Sequence, residues 1–145
     1  ITLYGGHNNT TLKNKIKPVV KLQAEIIQIK KLHKNKFVGY NQTFLSKKNM
    51  TIAIIGIGYA DGISRQLSNK GYVYYKKYKF RIIGRISMDT IIFDITNHAN
   101  LLKVGMVVDL INYKNDIEKL AKSCGTISNE ILTSISNRVK RIYKY

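Results

Sequence analysis

The sequence predicts a mainly β fold, a barrel-like β domain followed by two short C-terminal helices. Three observations carry that prediction. Apolar residues recur at every second position in short runs, the period of a strand with one buried face. Clusters of Gly, Asn and Asp separate those runs at spacings that suit a barrel or a sandwich. A capping residue ahead of helically spaced apolar residues, with a glycine to stop the helix, appears only from Asp116 onward.

Residues 1–17 contain Gly5–Gly6, Asn8–Asn9 and Thr10–Thr11 and read as a linker, so the domain is expected to span 18–145. Val20, Leu22, Ala24 and Ile26 alternate, and Ile27 and Ile29 resume in the opposite phase. That pattern is a long strand with a bulge. Segment 36–40 is a short strand and 51–58 a firmer one. Segments 72–75 and 79–83 pair around a Lys-Lys-Tyr turn, and 90–95 and 107–111 follow, joined through 97–105. Asp116 is placed to cap a helix through Ser123, with Glu118 and Lys122 one turn apart and Gly125 as the stop. Ser128 is placed to cap a second helix that carries Ile131, Leu132 and Ile135 on one face, with Glu130 in its first turn. Segment 139–143 is predicted to return to the sheet.

The 145 residues, 44% hydrophobic, suit one soluble domain with its own core. No apolar run approaches the roughly 20 residues that cross a bilayer. The opening ITLYGG has no basic stretch before an apolar one, so no export signal is expected and the chain is read as cytoplasmic. Its start on Ile1 reads as a piece of something longer. Cys124 is the single cysteine, with no partner for a disulfide or a CxxC site, and reads as a small, partly buried apolar residue. The three histidines show no metal-ligand spacing, so no metal is expected. The net charge of +17 favours phosphate-bearing partners in general terms. The lysines, however, are scattered singly and in pairs, and no basic stripe interleaved with aromatics names a nucleic-acid motif. Solvated lysine faces account better for the charge, and no specific nucleic acid is expected.

The stretch GYADG (58–62) asks for more than a turn. Asp61 and Gly62 suffice for the turn, since Gly takes positive φ and Asp bonds its own backbone, which leaves Tyr59 unexplained. It belongs to a set of four motifs: VGYNQTF (38–44), IGYADG (57–62), GRISMD (84–89) and EILTSISNRVKRIY (130–143). In this order and spacing they resemble the C-terminal domain of alanine racemase. The segments LYGG (3–6) and PVVKLQAEI (18–26) look like the connection between that family's N-terminal barrel and this domain, so the resemblance covers essentially the whole chain.

The resemblance implies a two-domain enzyme whose (β/α)8 barrel, missing from this sequence, holds pyridoxal 5'-phosphate on a lysine as an electron sink. It implies interconversion of L- and D-alanine by two bases, one of them the cofactor lysine and the other Tyr40. The partners implied are alanine and the barrel domain of a second subunit in a head-to-tail homodimer, with D-alanine serving the peptidoglycan cell wall. Met88 is implied as a main-chain donor to the substrate carboxylate and Asp89 as local support for that loop. Tyr59, Arg65 and Arg85 are implied around the substrate entrance, and Ile1 as a main-chain contact to the cofactor phosphate. Asn41 replaces the glycine of the common pattern, and Asn tolerates positive φ well enough for the turn to survive. Asn137 stands where many relatives place a tyrosine at the phosphate. With no counterpart of the cofactor lysine, the chain is expected to be inactive alone. The rival readings are a basic β-barrel nucleic-acid-binding module and a non-catalytic remnant of a split racemase gene.

Overall fold

The computed structural model describes residues 19–144. In chain order the elements are β1 (Leu22–Leu32), β2 (Phe37–Val38), β3 (Phe44–Leu45), β4 (Met50–Ile55), β5 (Tyr72–Tyr75), β6 (Tyr78–Arg81), β7 (Ile91–Asp94) and β8 (Val107–Ile111). Helices α1 (Ile117–Cys124) and α2 (Ser128–Ser134) follow. The fold is therefore mainly β with two short C-terminal helices, as the alternation and the late capping signals predict. No helix among the described residues is long and apolar enough to cross a membrane.

Six strands form one antiparallel sheet in the order β6-β5-β8-β1-β4-β7. Its two outer strands approach each other where Ile82 bridges Phe93 and the Ile83 N–H donates to the Ile92 carbonyl at 3.0 Å. The sheet thus curls toward closure, the usual way to cover exposed edges. Strand β1 makes the curl possible. Residues 22–25 pair with β8, residues 26–32 pair with β4, and the register slips between Ile26 and Gln28. The slip lies where the alternation changes phase: Leu22, Ala24 and Ile26 are buried, whereas Ile27 is exposed. Ile55, Val73, Phe80, Phe93, Val108 and Leu110 fill the interior.

Four sequence expectations need correction. Segment 36–40 contributes only Phe37–Val38 to a strand, because Gly39 takes φ +77° and turns the chain into a hairpin with β3. Tyr78 belongs to β6 rather than to the turn: it pairs with Tyr75, and Lys76, at φ +52°, starts a two-residue connection. Ser128 does not cap α2. It is the first helical residue and is buried, Ile127 holds the cap position without a side-chain bond, and Thr126 bonds Glu130 across the first turn. Segment 139–143 does not return to the sheet. It follows instead from Ser136, whose N–H donates to the Asp61 carbonyl and whose carbonyl accepts the Val139 N–H, while the Arg141 side chain donates to the Ile135 carbonyl.

Candidate functional site

Three loops converge on one side of the barrel. The first is the tip of the β2–β3 hairpin. A second apolar cluster of Val38, Met50, Ile52 and Ile83 fixes its base to the sheet wall. At Gly39, a Cβ would lie 2.8 Å from the Arg85 nitrogen, so only glycine lets the hairpin press this closely on the following loop. Asn41 sits at φ +58°, in the left-handed region that asparagine tolerates, and the turn forms. Tyr40 stands at the head of this turn, 69% exposed. No described residue takes a hydrogen bond from its hydroxyl or gives one to it.

The other two loops are GYADG and the Ser87–Thr90 turn, and they are bonded directly. The Tyr59 N–H donates to the Ser87 carbonyl and the Ala60 N–H to the Met88 carbonyl, both at 3.0 Å. Gly58 permits this approach, since a Cβ there would lie 2.4 Å from each of those carbonyl oxygens. Asp61, only 8% exposed, accepts the Gly58 N–H at 2.8 Å. Ser87 and Thr90 close the third loop locally: the Thr90 N–H donates to the Ser87 hydroxyl at 2.9 Å, and the Ser87 N–H to the Thr90 carbonyl at 3.1 Å. Met88 is 50% exposed at the crest, and its N–H has no partner among the described residues.

Asp89 does not brace its loop through local bonds. Its carboxylate accepts from Arg138, 49 residues away, at 2.6 Å, and Arg138 Nε lies 3.3 Å from Asp61. The hydrogen bond to Asp89, with the Asp61 charge next, raises the guanidinium further above its ordinary value. Asn69 is a second brace: its side chain accepts the Gly84 N–H at 2.7 Å and donates to Thr43 at 3.2 Å. Neither Arg138 nor Asn69 was among the predicted site residues. Arg138 lies inside the motif of residues 130–143, which was the one signal available for it.

The predicted residues fall into two groups. Tyr40 and Arg85 line one open hollow of about 310 Å³, with Gly39, Ser87 and Thr90. Tyr59 lines another of about 470 Å³, with Ser64, Gln66 and Glu130, and the Arg65 guanidinium lies 5.8 Å from the Tyr59 ring centroid, within cation–π range. Arg85 therefore groups with Tyr40, and Arg65 with Tyr59. The two groups meet through the Tyr59–Ser87 hydrogen bond. Asn137 is exposed and accepts from Arg141 at 3.4 Å. Ile1 lies outside the described residues, as does the boundary expected at 17/18.

The described residues do not by themselves fit pyridoxal phosphate. A lysine that forms an imine is activated by desolvation or by a cationic neighbour. Every described lysine is solvent-exposed, and none lines either hollow.

A curled β module whose loops expose a tyrosine and, among the described residues, a main-chain N–H without a partner belongs to the class of domains that present groups outward. Residues 19–143 match the family described as alanine racemase, C-terminal domain, and the chain belongs to that family. It is 43% identical over 140 residues to an alanine racemase of Brucella ovis, covering 96% of this chain and 35% of that protein. It is 40% identical over 142 residues to one from Acidiphilium cryptum, covering 98% and 40%. The crystal structure of alanine racemase from Bartonella henselae with covalently bound pyridoxal phosphate superposes with a TM-score of 0.91 at 41% identity, over 99% of this chain and 40% of that one. The chain thus spans less than half the length of the relatives it matches. The family and fold expected from the four motifs are borne out.

Proposed function

We propose that this chain is the C-terminal part of a pyridoxal-phosphate alanine racemase and lends Tyr40 and Met88 to the barrel of a second subunit in a head-to-tail homodimer. Residues 1–17 would then be the end of the chain's own barrel and the linker. The observation that carries the reading is that, among the described residues, the exposed Tyr40 hydroxyl and the Met88 N–H both lack a partner, while Tyr40 lines one hollow with Ser87, the residue before Met88.

Inverting an α-carbon requires a proton donor and acceptor on each face. Tyr40 serves one face. Arg85 lines the same hollow. The Met88 N–H binds the substrate carboxylate in a charge-assisted bond and so orients the α-hydrogen. Tyr59 and Arg65 narrow the approach beside it. The cofactor, held elsewhere in the full enzyme, supplies the electron sink. Among the described residues every lysine is exposed and none lines either hollow, which supports the expectation that 1–145 alone is inactive. Dimerisation is supported by Phe37 and Leu45, which pair in register on the same hairpin as Tyr40 and are both exposed, an apolar face that a partner would cover. D-alanine made in the cytoplasm for cell-wall synthesis completes the reading.

Replacing Tyr40 by phenylalanine in the full-length enzyme tests it. Loss of a positioned acid–base group costs about 10²–10⁴-fold, so racemisation falls by that factor in both directions, with cofactor absorbance and melting unchanged. A folded variant that racemises at the parental rate refutes the assignment.

A further inference from the structure

The Asp61–Arg138–Asp89 bridge calls for an account beyond stability. Arg138 and Asp89 are each 52% exposed at their side chains, and ion pairs this exposed contribute little to stability. What distinguishes the bridge is its geometry. Nε and Nη2 lie on one edge of the guanidinium, the edge that usually grips a single carboxylate with two parallel bonds. Here that edge is divided between carboxylates from two loops, at 3.3 Å to Asp61 and 2.6 Å to Asp89. Asp61 is itself fixed by the Gly58 N–H.

The loops joined in this way hold two consecutive peptide planes. The Ser87 carbonyl is pinned by the Tyr59 N–H and the Met88 carbonyl by the Ala60 N–H. In a trans peptide the carbonyl and the N–H point in opposite directions. Pinning the Ser87 carbonyl toward GYADG therefore aims the Met88 N–H away from it, into open space. The Tyr59 and Ala60 bonds attach the loop on one side, and Arg138 holds its Asp89 end.

We propose that Arg138 is a positioning residue that locks the Met88 loop onto the Tyr59 loop and thereby sets how tightly the substrate carboxylate is held. The inference rests on the role given to Met88 above. Lysine keeps the charge but is a point donor and cannot serve two carboxylates in a fixed fork. A geometric role and a purely electrostatic one therefore separate on that variant.

The test uses the full-length enzyme with Arg138→Met, Arg138→Lys and Asp89→Asn, and Tyr40→Phe alongside. A weakened bond to a charged group is read as a KM for alanine raised about tenfold, with kcat within about threefold of the parent. Arg138→Met shows this split, Asp89→Asn reproduces it, and Arg138→Lys does not restore the parental KM. Independently of activity, the Tyr59 and Ala60 amides of Arg138→Met exchange with heavy water at least about tenfold faster. A parental KM in Arg138→Met or Asp89→Asn, full rescue by lysine, or unchanged amide exchange each overturns the proposal. Should Arg138→Met not fold, the exposed Asp89→Asn decides. Faster exchange without any racemase activity counts against the racemase reading alone, and full activity of Tyr40→Phe counts only against the catalytic role of that tyrosine.

Discussion

Replacing Gly58 by alanine would place a Cβ 2.4 Å from both the Ser87 and Met88 carbonyl oxygens. Ordinary contact needs about 3.4 Å, so the 87–88 loop must retreat by roughly 1 Å, since it cannot yield like the end of a flexible side chain. That retreat stretches the Tyr59 and Ala60 hydrogen bonds, both now at 3.0 Å. Each contributes about 1 kcal/mol. Overpacking adds about 1–3 kcal/mol. A total of about 3–5 kcal/mol lowers Tm by about 6–20 °C for a chain of this size. Gly56 supplies the control, because a Cβ there meets only the Ile27 side chain, at 3.4 Å. Thermal denaturation of Gly58→Ala and Gly56→Ala beside the parent is the assay. In the full-length enzyme the same displacement, larger than the loosening expected of Arg138→Met, would misplace the Met88 N–H and lower kcat/KM for alanine by about 10²-fold. A Gly58→Ala protein as stable as the parent, or a Gly56→Ala protein equally destabilised, refutes the packing argument.

Two further outcomes follow from the surface and the core. Exchanging both Phe37 and Leu45 for serine removes the exposed apolar pair on the hairpin, and analytical ultracentrifugation of the full-length enzyme should then show a dimer dissociating at concentrations where the parent stays paired. Burial pushes the Cys124 thiol above its ordinary value, partly offset by a hydrogen bond with Ser64. The neutral thiol is thus favoured in the folded chain, and its alkylation rate should rise with pH at a midpoint above that of the unfolded chain; a midpoint at or below it contradicts the packing seen at the end of α1.

Much of the scaffold was legible because its causes are local. The phase change at Ile26–Ile27 located the bulge in β1 and the Val107–Ile111 run gave β8 its bounds, since alternation is what a half-buried strand requires. Asp116 accepting the Lys119 N–H, and Gly125 at φ +69°, fixed α1 by capping chemistry written in neighbouring residues. Ser128 shows the limit of that logic: a capping residue type one position too late is simply buried in the first turn. The tail misled for a similar reason, since Val139 does pack half-buried against the core while long-range bonds to Asp61 and Asp89 decide the path of the backbone. Tyr40, Tyr59 and Met88 could be singled out only through their motifs. Arg138 and Asn69 act across tens of residues, and no local period or spacing announces such a contact.

The central claim is that Tyr40 moves the proton on one face of alanine, and isotope exchange tests it most directly. Full-length Tyr40→Phe, with parental cofactor absorbance and melting, is offered L-alanine or D-alanine in heavy water, and deuterium at the α-carbon is followed by NMR. On the proposed reading the tyrosine takes the proton from L-alanine and the lysine takes it from D-alanine. The account predicts that exchange from L-alanine is lost, by about 10²-fold or more. Exchange from D-alanine persists, and racemisation fails in both directions because equilibrium forbids accelerating one alone. Parental exchange from L-alanine in the folded variant would contradict the account and make Tyr40 a surface aromatic with no part in the chemistry.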